Sequence, residues 1–273
     1  LDEAVKLLRA DPDRAAMIRD VYWDDDPREA AERFFQSAEF REAARLTAER
    51  LAGGLVLDVG AGTGIAAYAF ARQGARLVQA LEPDPSDLVG RGAIEKLRGG
   101  LPIEIVDGFA ERIPLPDATA DVVFARQTLH HTRDLPLALR ECARVLKPGG
   151  LFLACREHVA DNPRQLQIFL KRHPIHQLVG GEHAFQLPQY LEAIEQSGLH
   201  LIQAFGPWDS LINAYPSART PAELADLPRT LLTRKLGPRG RWLGTLPGVG
   251  PLVRAALKFP RPGRLYTFLA TKP

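Results

Sequence analysis

Apolar and polar positions follow two periods along this chain, and the changes of period mark out its elements. Residues 27–51 (PREAAERFFQSAEFREAARLTAERL) carry apolar side chains at helical spacing and stop before Gly53-Gly54, which predicts one long helix with a glycine stop. Short apolar runs rich in β-prone residues follow at 55–59, 76–81, 103–106, 122–125 and 151–155. Helical spacing separates them, beginning with Ile65 to Arg72. Such alternation predicts a parallel sheet covered on both faces, an α/β fold. Two further runs bounded by Gly or Pro, 199–205 and 264–271, read as the last strands. The connection between them, roughly fifty residues, is far longer than an ordinary one and predicts an insert that caps or extends the substrate side. The expected organisation is a helical segment at 1–52, a core at 53–207, an insert at 208–262 and a final core strand at 263–273.

The first strand carries the chemistry. In LVLDVGAGTG, Leu55 to Gly64, a buried strand containing Asp58 runs into Gly60, Gly62 and Gly64, and a helix starts at once. Glycines there allow a sharp bend and a close approach of backbone to ligand, while the helix presents unpaired amides to the same turn. This is a nucleotide-cofactor cradle. A dinucleotide fingerprint would read GxGxxG, whereas this turn is an acid followed by GxGxG. Glu82 stands at the tip of the next strand, spaced for one strand-helix-strand unit, where a carboxylate can accept hydrogen bonds from ribose hydroxyls.

DVGAGTG, then GFAERIPLPDATAD running into VVFARQTLHH, then ECARVLKPGG before the fifth strand, resemble the successive motifs of the class I S-adenosylmethionine (SAM) dependent methyltransferases. The resemblance spans roughly Leu55 to Arg156. It implies a Rossmann-like sheet of seven strands, mostly parallel with the last antiparallel, under an N-terminal helical lid, with the long insert before the last strand. It implies S-adenosyl-L-methionine as cofactor and S-adenosyl-L-homocysteine as product. On the resemblance, Asp58, Gly60, Ala61 and Gly62 hold the methionyl end and Gly64 shapes the turn. Glu82 and Pro83 lie at the ribose, Phe109 and Ala110 frame the adenine, and Arg126 and Gln127 supply backbone beside the sulfonium. Where related chains often carry an acid, this one has Phe109, so either Phe109 packs on the base or Asp107 takes over the hydrogen bond.

Methyl transfer needs an aligned nucleophile and, for an alcohol or ammonium, removal of a proton. His130 and His131, after the fourth strand, and His158, after the fifth, are the candidate catalytic residues, since the carboxyl ends of such strands face the ligand crevice. His131 is the expected general base. A wider cluster, His158, His173, His176 and His183 with Glu157 and Glu182, suits either a substrate pocket or a metal, but its spacing forms no HxxxH or HExxH pattern and no metal is expected.

Composition is ordinary, with 45% hydrophobic and 25% charged residues, which allows a large core. The charge is uneven: residues 219–273 hold eleven Lys/Arg against two acids, Glu223 and Asp226, although the whole chain is only +2. This segment reads as a solvated basic face, or as a surface for an anionic substrate, RNA or an anionic membrane. No nucleic acid is favoured, because no RNA-binding motif is present. The preferred acceptor is an oxygen or nitrogen of a small molecule, a specialised metabolite or sugar; RNA, a membrane lipid or quinone, and a regulator that binds SAM without turnover are the alternatives. Cys142 and Cys155 read as core thiols. No apolar run of about 18 residues suggests a membrane span, and the charged first residues point to a cytoplasmic protein.

Overall fold

The structure is a computed structural model, and it describes residues 2–20, 22–172, 174–181, 183–257, 259 and 264–273. Seven strands form one sheet: β1 (Leu55–Val59), β2 (Leu77–Leu81), β3 (Ile103–Val106), β4 (Ala120–Arg126), β5 (Leu146–Val159), β6 (His200–Phe205) and β7 (Arg264–Thr271). Their order is β3-β2-β1-β4-β5-β7-β6, with β7 antiparallel to both its neighbours and the other pairings parallel. The chain progresses outward from β1 on one side and from β4 on the other, which opens a crevice above their carboxyl ends.

The central strands are buried on both faces, and the period-two alternation shows which residue serves which core. Val56, Val122, Phe124 and Leu153 face one cluster, and Leu57, Val59, Val123 and Phe152 face the other. The first cluster is covered by α3 (Pro27–Phe35), α4 (Ala38–Leu51), α5 (Ile65–Arg72) and α6 (Arg91–Arg98), which follow two short N-terminal helices, α1 (Asp2–Ala10) and α2 (Ala15–Asp20). A chain of edge-to-face and tilted rings, Phe34, Phe40, Phe70 and Phe124, joins these helices to the sheet at centroid separations of 5.5, 5.2 and 4.9 Å. The second cluster lies under α7 (Leu135–Val145) and α10 (Leu187–Gln196), with α8 (Pro163–Arg172) and α9 (Pro174–Val179) between them in sequence. The segment between β6 and β7 is helical: α11 (Leu211–Ala214), α12 (Pro221–Leu236), α13 (Pro238–Leu243) and α14 (Val249–Leu257).

Two expectations are corrected. Residues 27–51 are not one helix: α3 ends at Phe35, and Ser37 caps α4 with its Oγ accepting the Phe40 N–H at 3.0 Å. The break lets Phe34 and Phe40, on different helices, enter the same core. The fifth strand is also longer than 151–155. It runs on to Val159 because β7 pairs with it beyond a bulge between Ala154 and Glu157, where Arg156 sits at φ +58°. The REH triplet therefore belongs to the strand. The boundary expected at 262/263 lies outside the described residues.

Candidate functional site

A cavity of about 430 Å³ opens at the carboxyl ends of β1 and β4. Its floor is the turn after β1, where Gly60 and Gly62 adopt φ of +67° and +55°. A Cβ on Gly60 would lie 2.4 Å from the Thr128 Cγ2, while one on Gly62 would meet nothing within 4 Å. Gly60 is thus required by packing, and Gly62 by the space it leaves in the cavity it lines. Ala61 lines the cavity as well, and Gly64, at φ +83°, caps α5.

Two carboxylates face this space. Asp58 is buried in β1, and its Oδ2 has no hydrogen-bond partner. Burial pushes its carboxyl up to about 7; the Ala67 amide opposes this, and the charge of Glu82 adds to it. Glu82, just beyond β2 and followed by Pro83 in the cavity wall, accepts the Gly62 N–H on Oε2 at 2.8 Å and the Asp84 N–H on Oε1 at 2.9 Å. Burial raises its carboxyl above the ordinary range despite both amides. A buried orphan carboxylate and a rigidly held second one fit the ammonium and the ribose hydroxyls of SAM.

Phe109 and Ala110 come from the loop after β3. Phe109 lines the cavity yet is 64% exposed, an apolar ring left largely uncovered. Asp107, the other candidate at this wall, is paired to Arg91 at 2.6 Å and does not line the cavity. Arg126 and Gln127 end β4. The Arg126 guanidinium binds Glu39 of α4 at 2.5 Å, both buried, and lies over the rings of Tyr22 and Phe34. Gln127, at φ +52°, donates its N–H to the Cys155 carbonyl at 2.9 Å, so that amide is engaged in the sheet.

The histidines meet on the opposite side. Leu129–His131 forms a single 3-10 turn that drops His130 into the interior. Its Nδ1 lies 2.7 Å from the Glu157 Oε2, and the Thr128 and His130 amides donate to the same carboxylate at 3.0 and 3.1 Å. Both side chains are buried, and burial pushes the Glu157 carboxyl up to about 7 against those amides. His131 stands 4.3 Å from His130, ring to ring, and reaches solvent, with Nδ1 3.3 Å from the Gly181 carbonyl oxygen. Partial loss of hydration of its ring lowers its pKa below the ordinary histidine value, with Glu157 pulling the other way. His158 meets His130 edge-on at 4.7 Å and packs on Phe169. All three imidazoles line the cavity.

Glu157 is the residue that sequence reasoning undervalued. It was visible as a neighbour of His158, but only the bulge after Ala154 aims it at His130. Of the wider histidine cluster, among the described residues only His158 lines the cavity: the His183 N–H donates to the His130 carbonyl while its ring stacks on Phe185, and His176 is not a lining residue. His173 and Glu182 lie outside the described residues. Among the described residues no group of three or more His, Cys, Asp or Glu is placed to hold a metal ion. Cys142 and Cys155 are buried free thiols, and burial pushes Cys142 up to about 12 and Cys155 well above its ordinary value. Among the described residues, Trp23 is the cavity's contribution from the N-terminal segment, and no lining residue comes from α11 to α14.

Residues 57–154 match the family described as Methyltransferase domain. The chain is 29% identical over 161 residues to a ubiquinone biosynthesis O-methyltransferase of Rhizobium etli, covering 57% of this chain and 64% of that one. It is 39% identical over 122 residues to a ubiquinone/menaquinone biosynthesis C-methyltransferase of a Caulobacter species, covering 41% and 46%. The chain thus spans less than two thirds of these relatives' lengths. Among solved structures, the cyclase SpnF superposes with a TM-score of 0.56 at 24% identity, over 92% of this chain and 86% of that one, a likeness of fold.

Proposed function

We propose that this chain, which belongs to the class I SAM-dependent methyltransferases, binds SAM in the cavity above β1 and β4 and methylates a hydroxyl oxygen of a small, largely apolar acceptor. The buried pairing of Glu157 with His130, whose imidazole lines the cavity, carries this reading.

Bound there, SAM would supply a methyl group already activated on a sulfonium. Asp58 would pair with the ammonium, Glu82 would accept from the ribose hydroxyls, and the bare backbone at Gly62 would let the cofactor approach closely. Phe109 would pack on the adenine with its uncovered ring. Glu157 accepts the Nδ1–H of His130 and so keeps Nε2 as the proton acceptor. As the acceptor hydroxyl loses its proton to Nε2, the Glu157 carboxylate stabilises the imidazolium that forms. His130, rather than the expected His131, is therefore assigned as base, and His131 and His158 border the acceptor space. A neutral amine attacks before it must lose a proton, so a preformed acid-base pair fits an oxygen acceptor better. The named O-methyltransferase relative supports the same preference.

The test is transfer of label from methyl-labelled SAM to a panel of phenols, catechols and sugar-like alcohols. Label on a hydroxyl, lost in His130→Ala and Glu157→Gln while both variants still bind S-adenosylhomocysteine, is the expected result. Wild-type rates in both variants would remove the assignment.

A further inference from the structure

The segment between β6 and β7 is left without a role by the cavity, and its composition is distinctive. Residues 227–257 contain six Lys/Arg and no acid. Among the described residues, Arg234, Lys235, Arg239 and Arg241 form no ion pair, whereas Arg229 pairs with Asp226 and Arg254 is taken up by the Leu224 and Ala225 carbonyls. The same stretch is rich in Leu and Val, yet α12, α13 and α14 bury few of them. Leu236, Trp242, Leu252 and Phe259 are each more than half exposed. Large apolar side chains left in water on the same segment as uncompensated cations suit a partner that takes both.

We propose that α12 to α14 form a docking surface for an anionic phospholipid bilayer. The cations match the surface potential of acidic headgroups, and the exposed leucines, Trp242 and Phe259 match the boundary between headgroup and acyl chain. RNA fits less well, because of these four only Trp242 and Phe259 offer a ring for a base to stack on, while Leu236 and Leu252 gain nothing from a nucleic acid. No described helix is long and apolar enough to cross a membrane, so the contact is peripheral. Its position is also telling. The segment leaves the sheet at Phe205, the carboxyl end of β6, and returns at Arg264, paired with Val159 at the carboxyl end of β5. Both attachments lie at the edge of the sheet where the cavity opens. Docking through this surface holds the cavity at the lipid interface, within reach of an acceptor dissolved in the bilayer.

Flotation of the full chain with vesicles tests this without reading activity, so it stands or falls apart from the methyl-transfer assignment. Vesicles of phosphatidylcholine alone are compared with vesicles containing phosphatidylglycerol, for the wild type, Arg239→Ala/Arg241→Ala and Trp242→Ala/Leu252→Ala. Circular dichroism and S-adenosylhomocysteine binding establish that the variants fold. The wild type should float only with phosphatidylglycerol and be released by high salt. Each double variant should lose on the order of tenfold or more in partitioning. Failure of the wild type to float with phosphatidylglycerol, equal binding to both vesicles, unaltered binding by the folded variants, or displacement from the vesicles by an equal mass of random-sequence RNA would each overturn the proposal.

Discussion

The imidazole Nδ1 of His130, which lines the cavity, lies 2.7 Å from the carboxylate of Glu157, and both side chains are shut away from solvent. A carboxylate buried at that distance does two things: it selects the imidazole tautomer and it stabilises the imidazolium. Glu157→Gln is expected to lower kcat by about 10²–10⁴-fold, because the base His130 loses the group that sets its tautomer and stabilises its charge, and to leave S-adenosylhomocysteine affinity unchanged. Kinetics with calorimetry on the same preparations would show whether the loss falls on kcat alone.

The proposed pairing of Asp58 with the cofactor's ammonium makes cofactor binding depend on pH. Its carboxyl is pushed up to about 7, and only the ionised form pairs with the cofactor's ammonium. Affinity for S-adenosylhomocysteine is expected to weaken about tenfold per pH unit below 7 and to level off above it. Asp58→Asn should bind weakly at every pH, with that slope gone.

The same raised pKa has the opposite consequence for the ligand-free fold. Asp58 and Glu157 both have folded-state values near 7, above the ordinary carboxylate range. Their protonated forms are favoured by folding, so this contribution is full below pH about 4 and is lost as pH rises through 7. Asp58→Asn should therefore raise the melting temperature of the ligand-free protein at pH 8 and change it little at pH 4. A thermal scan at the two pH values checks this.

Gly62 and Gly60 separate space from packing. A methyl on Gly62 points into open cavity, at the cost of about 1 kcal/mol for the left-handed backbone. Gly62→Ala should fold but lose cofactor binding by calorimetry. At Gly60 the added carbon would collide with Thr128, so Gly60→Ala should lower the melting temperature as well.

Glu39 holds the N-terminal helices to the sheet through Arg126. With both partners buried, Glu39→Ala strands a guanidinium among Tyr22 and Phe34, at a cost of about 3–5 kcal/mol. The melting temperature should fall on the order of 10 °C.

Much of the fold is legible in local pattern. β1 and its glycine turn announce themselves, because a fully buried parallel strand must be a continuous apolar run and because bends at positive φ favour glycine. The seven-stranded sheet with β7 antiparallel follows from the resemblance of the successive motifs. What pattern conceals is whatever depends on partners distant in sequence. The break at Ser37 is set by Phe34 and Phe40 needing the same core, though the helical period runs straight through it. The aim of Glu157 depends on a bulge imposed by pairing with β7, more than a hundred residues away. The burial of Arg126 depends on Glu39, 87 residues earlier.

The most direct test of the cofactor site is calorimetric titration of the full chain at pH 8 with S-adenosylhomocysteine, beside Asp58→Ala and Glu82→Ala. Saturable binding by the wild type, lost in both folded variants, is the predicted result. A correctly folded wild type that takes up no S-adenosylhomocysteine would contradict the account at its root.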